Sequence, residues 1–144
     1  MEATVKWVDG ALFLGESGSG HAVTMDGPAD LGGRNLGPRP MEMLLLGTGG
    51  CSIYDVLSVL RKGRQQVTDC RVEVRAERAD AVPAVFTSIN LHFVVTGREL
   101  RESLVRRAVE LSAEKYCSAS IMLGAAGVTV THSFEIVEAG AQTQ

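Results

Sequence analysis

Two cysteines, Cys51 and Cys117, stand 66 residues apart, each inside a run of small residues: Gly47-Thr48-Gly49-Gly50-Cys51-Ser52 and Cys117-Ser118-Ala119-Ser120. A thiolate is a nucleophile and a metal ligand, and it can be oxidised to a sulfenic acid or paired in a disulfide. Both segments read as helical. Glycine in a helix interior costs roughly 0.8 to 1 kcal/mol relative to alanine, so the three glycines at 47, 49 and 50 imply a close approach by another backbone. A second cysteine-bearing helix is an obvious candidate for what approaches. The plainer reading makes each cysteine a small buried hydrophobe with an inert sulfur. The residues alone leave both readings open.

The neighbouring residues narrow the chemistry. Cys70, in the strand run Asp69-Cys70-Arg71-Val72, lacks such surroundings and reads as structural. No CxxC, HExxH or paired CxxC motif occurs, so structural-zinc and thioredoxin-type readings have no support. His21, His92 and His132 fall in expected strands as lone surface or satisfied residues, and no metal site is expected. Tyr54 and Asp55 follow Cys51 at helical spacing. Asp55 would disfavour a thiolate if it faced Cys51, and it reads as a helix-surface charge or a dimer contact.

The elements that position these residues follow from patterning. Residues 1–26 alternate apolar and polar positions around Asp9-Gly10, a tight-hairpin signal, with a third strand at about 20–26 completing an antiparallel meander. Gly27 to Pro40 holds three prolines and four glycines, a loop long enough to be functional. A helix from Pro40 to about Lys62, closed by Gly63, is apolar nearly all round and reads as a central or interface helix. Strands at about 67–78 and 86–96 follow. The pattern Thr96-Gly97-Arg98-Glu99 resembles a capping box for a helix at about 99–115. A short helical turn then carries Cys117 to Leu123, a last strand covers about 127–138, and residues 139–144 read as a frayed tail.

Composition bounds the rest. At 144 residues, 45% hydrophobic, 22% charged and with a net charge of −3, the chain is expected to be one soluble domain, residues 1–144. Lys and Arg are interspersed with Asp and Glu without a polybasic block, which argues against nucleic acid. No leader is visible in Met1-Glu2-Ala3-Thr4-Val5-Lys6-Trp7, and no apolar run approaches the roughly 18 residues of a bilayer span. A cytoplasmic location with no membrane association is the expectation. In that reducing compartment a disulfide would be transient, catalytic or redox-sensing.

The order hairpin, Pro-rich loop, Pro40-Met41-Glu42 opening a glycine-rich helix with Cys51, two long strands, then Glu114-Lys115-Tyr116-Cys117-Ser118-Ala119-Ser120 resembles the OsmC/Ohr family of osmotically inducible and organic-hydroperoxide-resistance proteins. The likeness covers about residues 1–138 and lies near the YhfA-like branch. It implies an α+β fold with antiparallel sheets packed around a long central cysteine-bearing helix, assembled as an intertwined homodimer. It also implies a thiol-dependent peroxidase acting on organic hydroperoxides, with Cys51 peroxidatic, Cys117 resolving and a Cys51–Cys117 disulfide as product. The family activates its cysteine with an arginine held by a glutamate near the start of the helix. Glu42 takes the glutamate's place, and Arg34 and Arg39 are the only arginines ahead of Cys51, Arg39 favoured for its proximity to Glu42. Ser118 stands where the family's peroxidases commonly carry proline. The implied partners are an organic hydroperoxide and an external, lipoyl-type dithiol, with no metal or organic cofactor. Met41, Met43, Leu44, Tyr54 and Ile121 are candidates to line an apolar pocket. The alternative is a non-catalytic homodimer of the same fold that binds a small apolar ligand or senses redox state.

Overall fold

The computed structural model describes residues 1–140 and divides into two compact units, Met1–Leu45 and Leu46–Gln144. Of the expected tail, residues 141–144 lie outside the described residues.

The first unit is a three-stranded meander of β1 (Ala3–Asp9), β2 (Leu12–Ser17) and β3 (Ala22–Asp26), each antiparallel to the next. Gly10 turns the first hairpin at φ +51°, a left-handed conformation that glycine adopts without steric cost, and the Trp7 indole Nε1–H donates to its carbonyl at 3.0 Å. The long loop that follows is tied down by one side chain. Asp26 accepts from the backbone N–H of Gly27 at 2.8 Å, of Arg34 at 3.0 Å and of Leu36 at 3.1 Å. The Leu36 and Arg34 amides act most strongly among the groups that hold its carboxyl below the ordinary 3.8, and they outweigh the effect of burial. A carboxylate with a depressed folded pKa stabilises the fold above the unfolded value and loses that contribution as pH falls through the folded one. Asp26→Ala is therefore expected to lower Tm at pH 7, and the gap from wild type to close as the pH drops below 3.8 and Asp26 takes up its proton. Thermal melts of both proteins across pH 2 to 7 check this.

Helix α1 (Pro40–Lys62) has the expected bounds. Pro40 supplies a fixed φ at the first helical position, and Glu42, three residues past Arg39, reaches back to accept the Arg39 backbone N–H at 2.8 Å, one half of a capping box. At the far end Gly63 N–H bonds the Val59 carbonyl at 2.9 Å. By length and composition the helix could cross a membrane, with mean hydropathy 1.6 over its most apolar window, which corrects the expectation that no run approaches that length. Its Thr48 and Ser52 are buried and Ser52 is hydrogen-bonded inside the second unit, which marks it as a protein-packed helix.

The second unit is built on β4 (Gln66–Arg78), β5 (Phe86–Arg98) and β6 (Thr129–Glu138), in the order β4-β5-β6. Central strand β5 carries the core: Ile89, Leu91, Phe93 and Val95 are fully buried, joined by Val56 and Leu60 of α1. The expectation of antiparallel sheets holds for β4 with β5 but not for β6, which runs parallel to β5 with Phe93 opposite Phe134. Parallel neighbours need a crossover, and the segment between them supplies it as α2 (Glu102–Leu111), a π-turn over Ser112–Tyr116, and α3 (Ser118–Ala125).

The start of α2 differs from the sequence expectation. Thr96 and Gly97 belong to β5, where Gly97 is paired to both Val67 and Glu138, and a Cβ on Gly97 would collide with the Gln66 carbonyl oxygen. Glu99 then takes a left-handed φ of +49°, and Arg101, still extended at φ −81° and ψ 115°, caps the helix before Glu102 without a side-chain bond. The helix buries Val105, Ala108 and Val109. The glycines of α1 also serve differently from expectation: a Cβ on Gly49 would meet Val74 at 3.1 Å and Val72 at 3.3 Å, so it lets β4 side chains approach, while Gly47 and Gly50 face open space within the chain.

Candidate active site

The second unit brings Cys51 and Cys117 together. Cys51 sits in the middle of α1, partly exposed, while Cys117 is completely buried. Cys117 is not inside a helix. Its N–H bonds the Ser112 carbonyl at 2.9 Å across the π-turn, and at φ −73° and ψ 96° it forms the N-cap of α3. This widened turn aims the sulfur at α1.

Small polar groups surround that sulfur. The Ser52 hydroxyl donates to Cys117 Sγ at 3.0 Å and the Ser120 backbone N–H does so at 3.5 Å. As a thiol the sulfur faces the Thr48 carbonyl at 4.0 Å. The Ser112 hydroxyl in turn donates to the Ser52 carbonyl at 3.3 Å. These serines explain the small-residue runs in both segments, because larger side chains would leave no room for donors around a buried sulfur.

The two thiols differ electrostatically. Burial alone would push Cys117 up, but the Ser120 and Ser52 side chains, the Ser120 amide and the Cys51 thiol outweigh it and hold Cys117 below its ordinary value. Cys51 is pushed up, first by burial, against the pull of the Ala119 amide and with the help of Cys117 and Asp55. The surroundings of Cys117 thus favour a thiolate more than those of Cys51 do. Cys70 stands apart, and burial followed by the charge of Asp69 pushes it up to about 11, in keeping with a structural role.

Asp55 faces the site, not solvent. One of its carboxylate oxygens and the sulfurs of Cys51 and Cys117 all lie within 4.8 Å of one another. Oδ2 is buried without a hydrogen-bond partner among the described residues, and burial raises the carboxyl pKa. The cue in the sequence was the i, i+4 spacing from Cys51, which puts the two side chains on one helix face. As a metal cage the trio brings fewer ligands than the four that close a structural zinc site, and equals the three that a catalytic site uses with one position open. We read it as a proton-exchanging group of two thiols and a carboxylate.

The other expected site residues lie in the first unit. Arg34 pairs with Asp9 at 3.0 Å. The Arg39 guanidinium donates to Asn35 Oδ1 at 3.1 Å and to the Gly37 carbonyl at 3.4 Å, while Glu42 takes the Arg39 backbone amide. Glu42 thus caps the helix through the Arg39 main chain and is not bonded to its guanidinium. Of the residues expected to line an apolar pocket, Tyr54 and Ile121 are exposed in the second unit.

The OsmC-like protein family model matches residues 32–133, a span that contains both cysteines. The chain belongs to the OsmC-like protein family. It is 55% identical over 139 residues to Protein YhfA of Escherichia coli strain K12, covering 96% of this chain and all of that protein. Its fold matches the crystal structure of a hypothetical protein from Aquifex aeolicus VF5 with a TM-score of 0.84 at 29% identity, over 96% of this chain and 97% of the other. An organic hydroperoxide resistance protein OsmC from Legionella pneumophila shares the fold with a TM-score of 0.69 at 20% identity, over 94% of this chain and 97% of that one. This OsmC-like chain thus has the mixed α and β architecture of the OsmC/Ohr proteins.

Proposed function

We propose that the protein is a thiol-dependent peroxidase that reduces organic hydroperoxides through a Cys51 sulfenate and a Cys51–Cys117 disulfide. The observation that carries this reading is the juxtaposition of the two sulfurs, one partly exposed and one fully buried, within 4.8 Å. The exposed sulfur is the one a peroxide reaches, so Cys51 attacks. The terminal peroxide oxygen is transferred to Cys51, the O–O bond breaks and the alcohol leaves, giving Cys51–SOH. The Cys117 sulfur then attacks the sulfenic sulfur, forming the disulfide and expelling hydroxide, which leaves as water with one proton. Hydrogen bonds that favour a Cys117 thiolate suit it to this second attack, because the thiolate is the reactive form. Fast closure also protects Cys51 from irreversible oxidation.

Arg39 or Arg34, with Glu42, is the activating pair of this proposal. An external lipoyl-type dithiol reduces the disulfide, and the chemistry takes place in the cytoplasm. A homodimer completes the fold. Support for it lies in the apolar surface the single chain leaves uncovered: Val5 and Trp7 on β1 are 61% and 66% exposed, and Leu46, Tyr54 and Met122 are exposed too.

Steady-state turnover tests the activity. With dihydrolipoamide as reductant, cumene hydroperoxide is expected to be consumed catalytically and faster than with a monothiol at equal thiol concentration. No consumption above the protein-free rate with either reductant would overturn the proposal.

A further inference from the structure

Cys51 is partly exposed and Cys117 is fully buried, and burial pushes the Cys51 thiol up. Cys51 therefore needs a group that takes its proton as the sulfur attacks. Asp55 lies one helical turn further along α1, with a carboxylate oxygen within 4.8 Å of both sulfurs and its buried Oδ2 unpartnered among the described residues. That separation is spanned directly after a small side-chain adjustment or through one water. A buried polar oxygen without a partner costs free energy, and a transferred proton would relieve it.

We propose that Asp55 is a catalytic residue, the general base and then general acid of the peroxide-reducing step. As Cys51 Sγ bonds to the terminal peroxide oxygen, its thiol proton moves to the Asp55 carboxylate. The O–O bond breaks, its electron pair stays with the inner oxygen, and the Asp55 carboxylic acid returns the proton to that alkoxide. The balance is Cys51–SH plus ROOH giving Cys51–SOH plus ROH. Sulfur is oxidised, the peroxide is reduced, and Asp55 ends as it began. In the next step the same carboxylate takes the Cys117 thiol proton as that sulfur attacks and passes it to the departing hydroxide, which leaves as water.

This inference rests on the peroxidase reading, and single-turnover kinetics separate the two. Reduced wild type, Asp55→Asn, Asp55→Ala and Asp55→Glu are mixed with cumene hydroperoxide, and the loss of the Cys51 thiol is followed. In parallel, Cys51 is alkylated with iodoacetamide, a reaction that needs only the thiolate. General acid–base catalysis contributes about 10² to 10⁴-fold, so Asp55→Asn is expected to slow peroxide reduction about 100-fold. Alkylation at pH 7 stays level or quickens, because a nearby negative charge has been removed. Asp55→Glu keeps a carboxylate and regains part of the rate. Asp55→Ala gives the same loss, restored in part by added formate, and stands in if the asparagine variant fails to fold. A peroxide rate in Asp55→Asn equal to wild type overturns the role of Asp55 and leaves the peroxidase reading intact. A parallel fall in both reactions makes Asp55 structural and also overturns it. Wild type that is inert to the peroxide removes the peroxidase reading and the role of Asp55 with it.

Discussion

Replacing Cys117 by serine is expected to leave the first oxidation of Cys51 running while stopping the catalytic cycle at the sulfenic acid. Cys51→Ser should consume no peroxide at all. The asymmetry follows from the site: Cys51 is partly exposed, and Cys117 is fully buried. In the Cys117→Ser protein no sulfur faces the new sulfenic acid, and a hydroxyl takes the place of the sulfur that Ser52 reaches at 3.0 Å. The sulfenate should be captured by dimedone as a single adduct on Cys51. With excess peroxide it should advance to the sulfinic acid, which thiols do not reverse. Turnover with a dithiol should fall at least about 100-fold in both variants, since each removes one of the two steps of a covalent cycle. Mass spectrometry of intact protein checks this. A dimedone adduct on Cys117 in the Cys51→Ser protein would instead make Cys117 the attacking sulfur.

The second large effect concerns stability. Phe93→Ala is expected to destabilise the fold by about 3 to 5 kcal/mol, the range for deleting a buried aromatic side chain. Phe93 is fully buried at the centre of β5, opposite Val72 on β4 and Phe134 on β6, and its ring stacks on His132 with centroids 6.4 Å apart. A truncation there empties space that three strands share. Domains of this size are typically stable by about 5 to 15 kcal/mol, so the loss is a large fraction of the whole. Urea unfolding at fixed protein concentration should show the midpoint falling with the slope unchanged. A change under about 1 kcal/mol would mean that the β5 centre is not the core.

Local signals carried much of the architecture. Helix α1 was legible at both ends because Pro40 and Gly63 punctuate an almost unbroken apolar run. The long strands were legible from period-2 alternation. The remainder depended on contacts distant in sequence. Thr96-Gly97-Arg98-Glu99 imitates a capping box, but the pairing of Gly97 with both flanking strands keeps the chain extended past it. The parallel pairing of β6 is set by the crossover through α2 and α3, which no alternation pattern encodes. At the site, the two cysteines were evident from their small-residue runs. The placement of Cys117 at an N-cap depends on the π-turn bond to Ser112, and the inward aim of Asp55 depends on how α1 is rotated against α3. Helical spacing alone could not choose between that and a surface charge.

The central claim is that two thiols act as one redox unit on organic hydroperoxides. Its most direct test adds one equivalent of cumene hydroperoxide to the fully reduced protein without oxygen, then counts free thiols and maps any disulfide by mass spectrometry. The expected result is the rapid loss of two of the three thiols and a Cys51–Cys117 bridge, with Cys70 still reduced. Three unreacted thiols after minutes would contradict it.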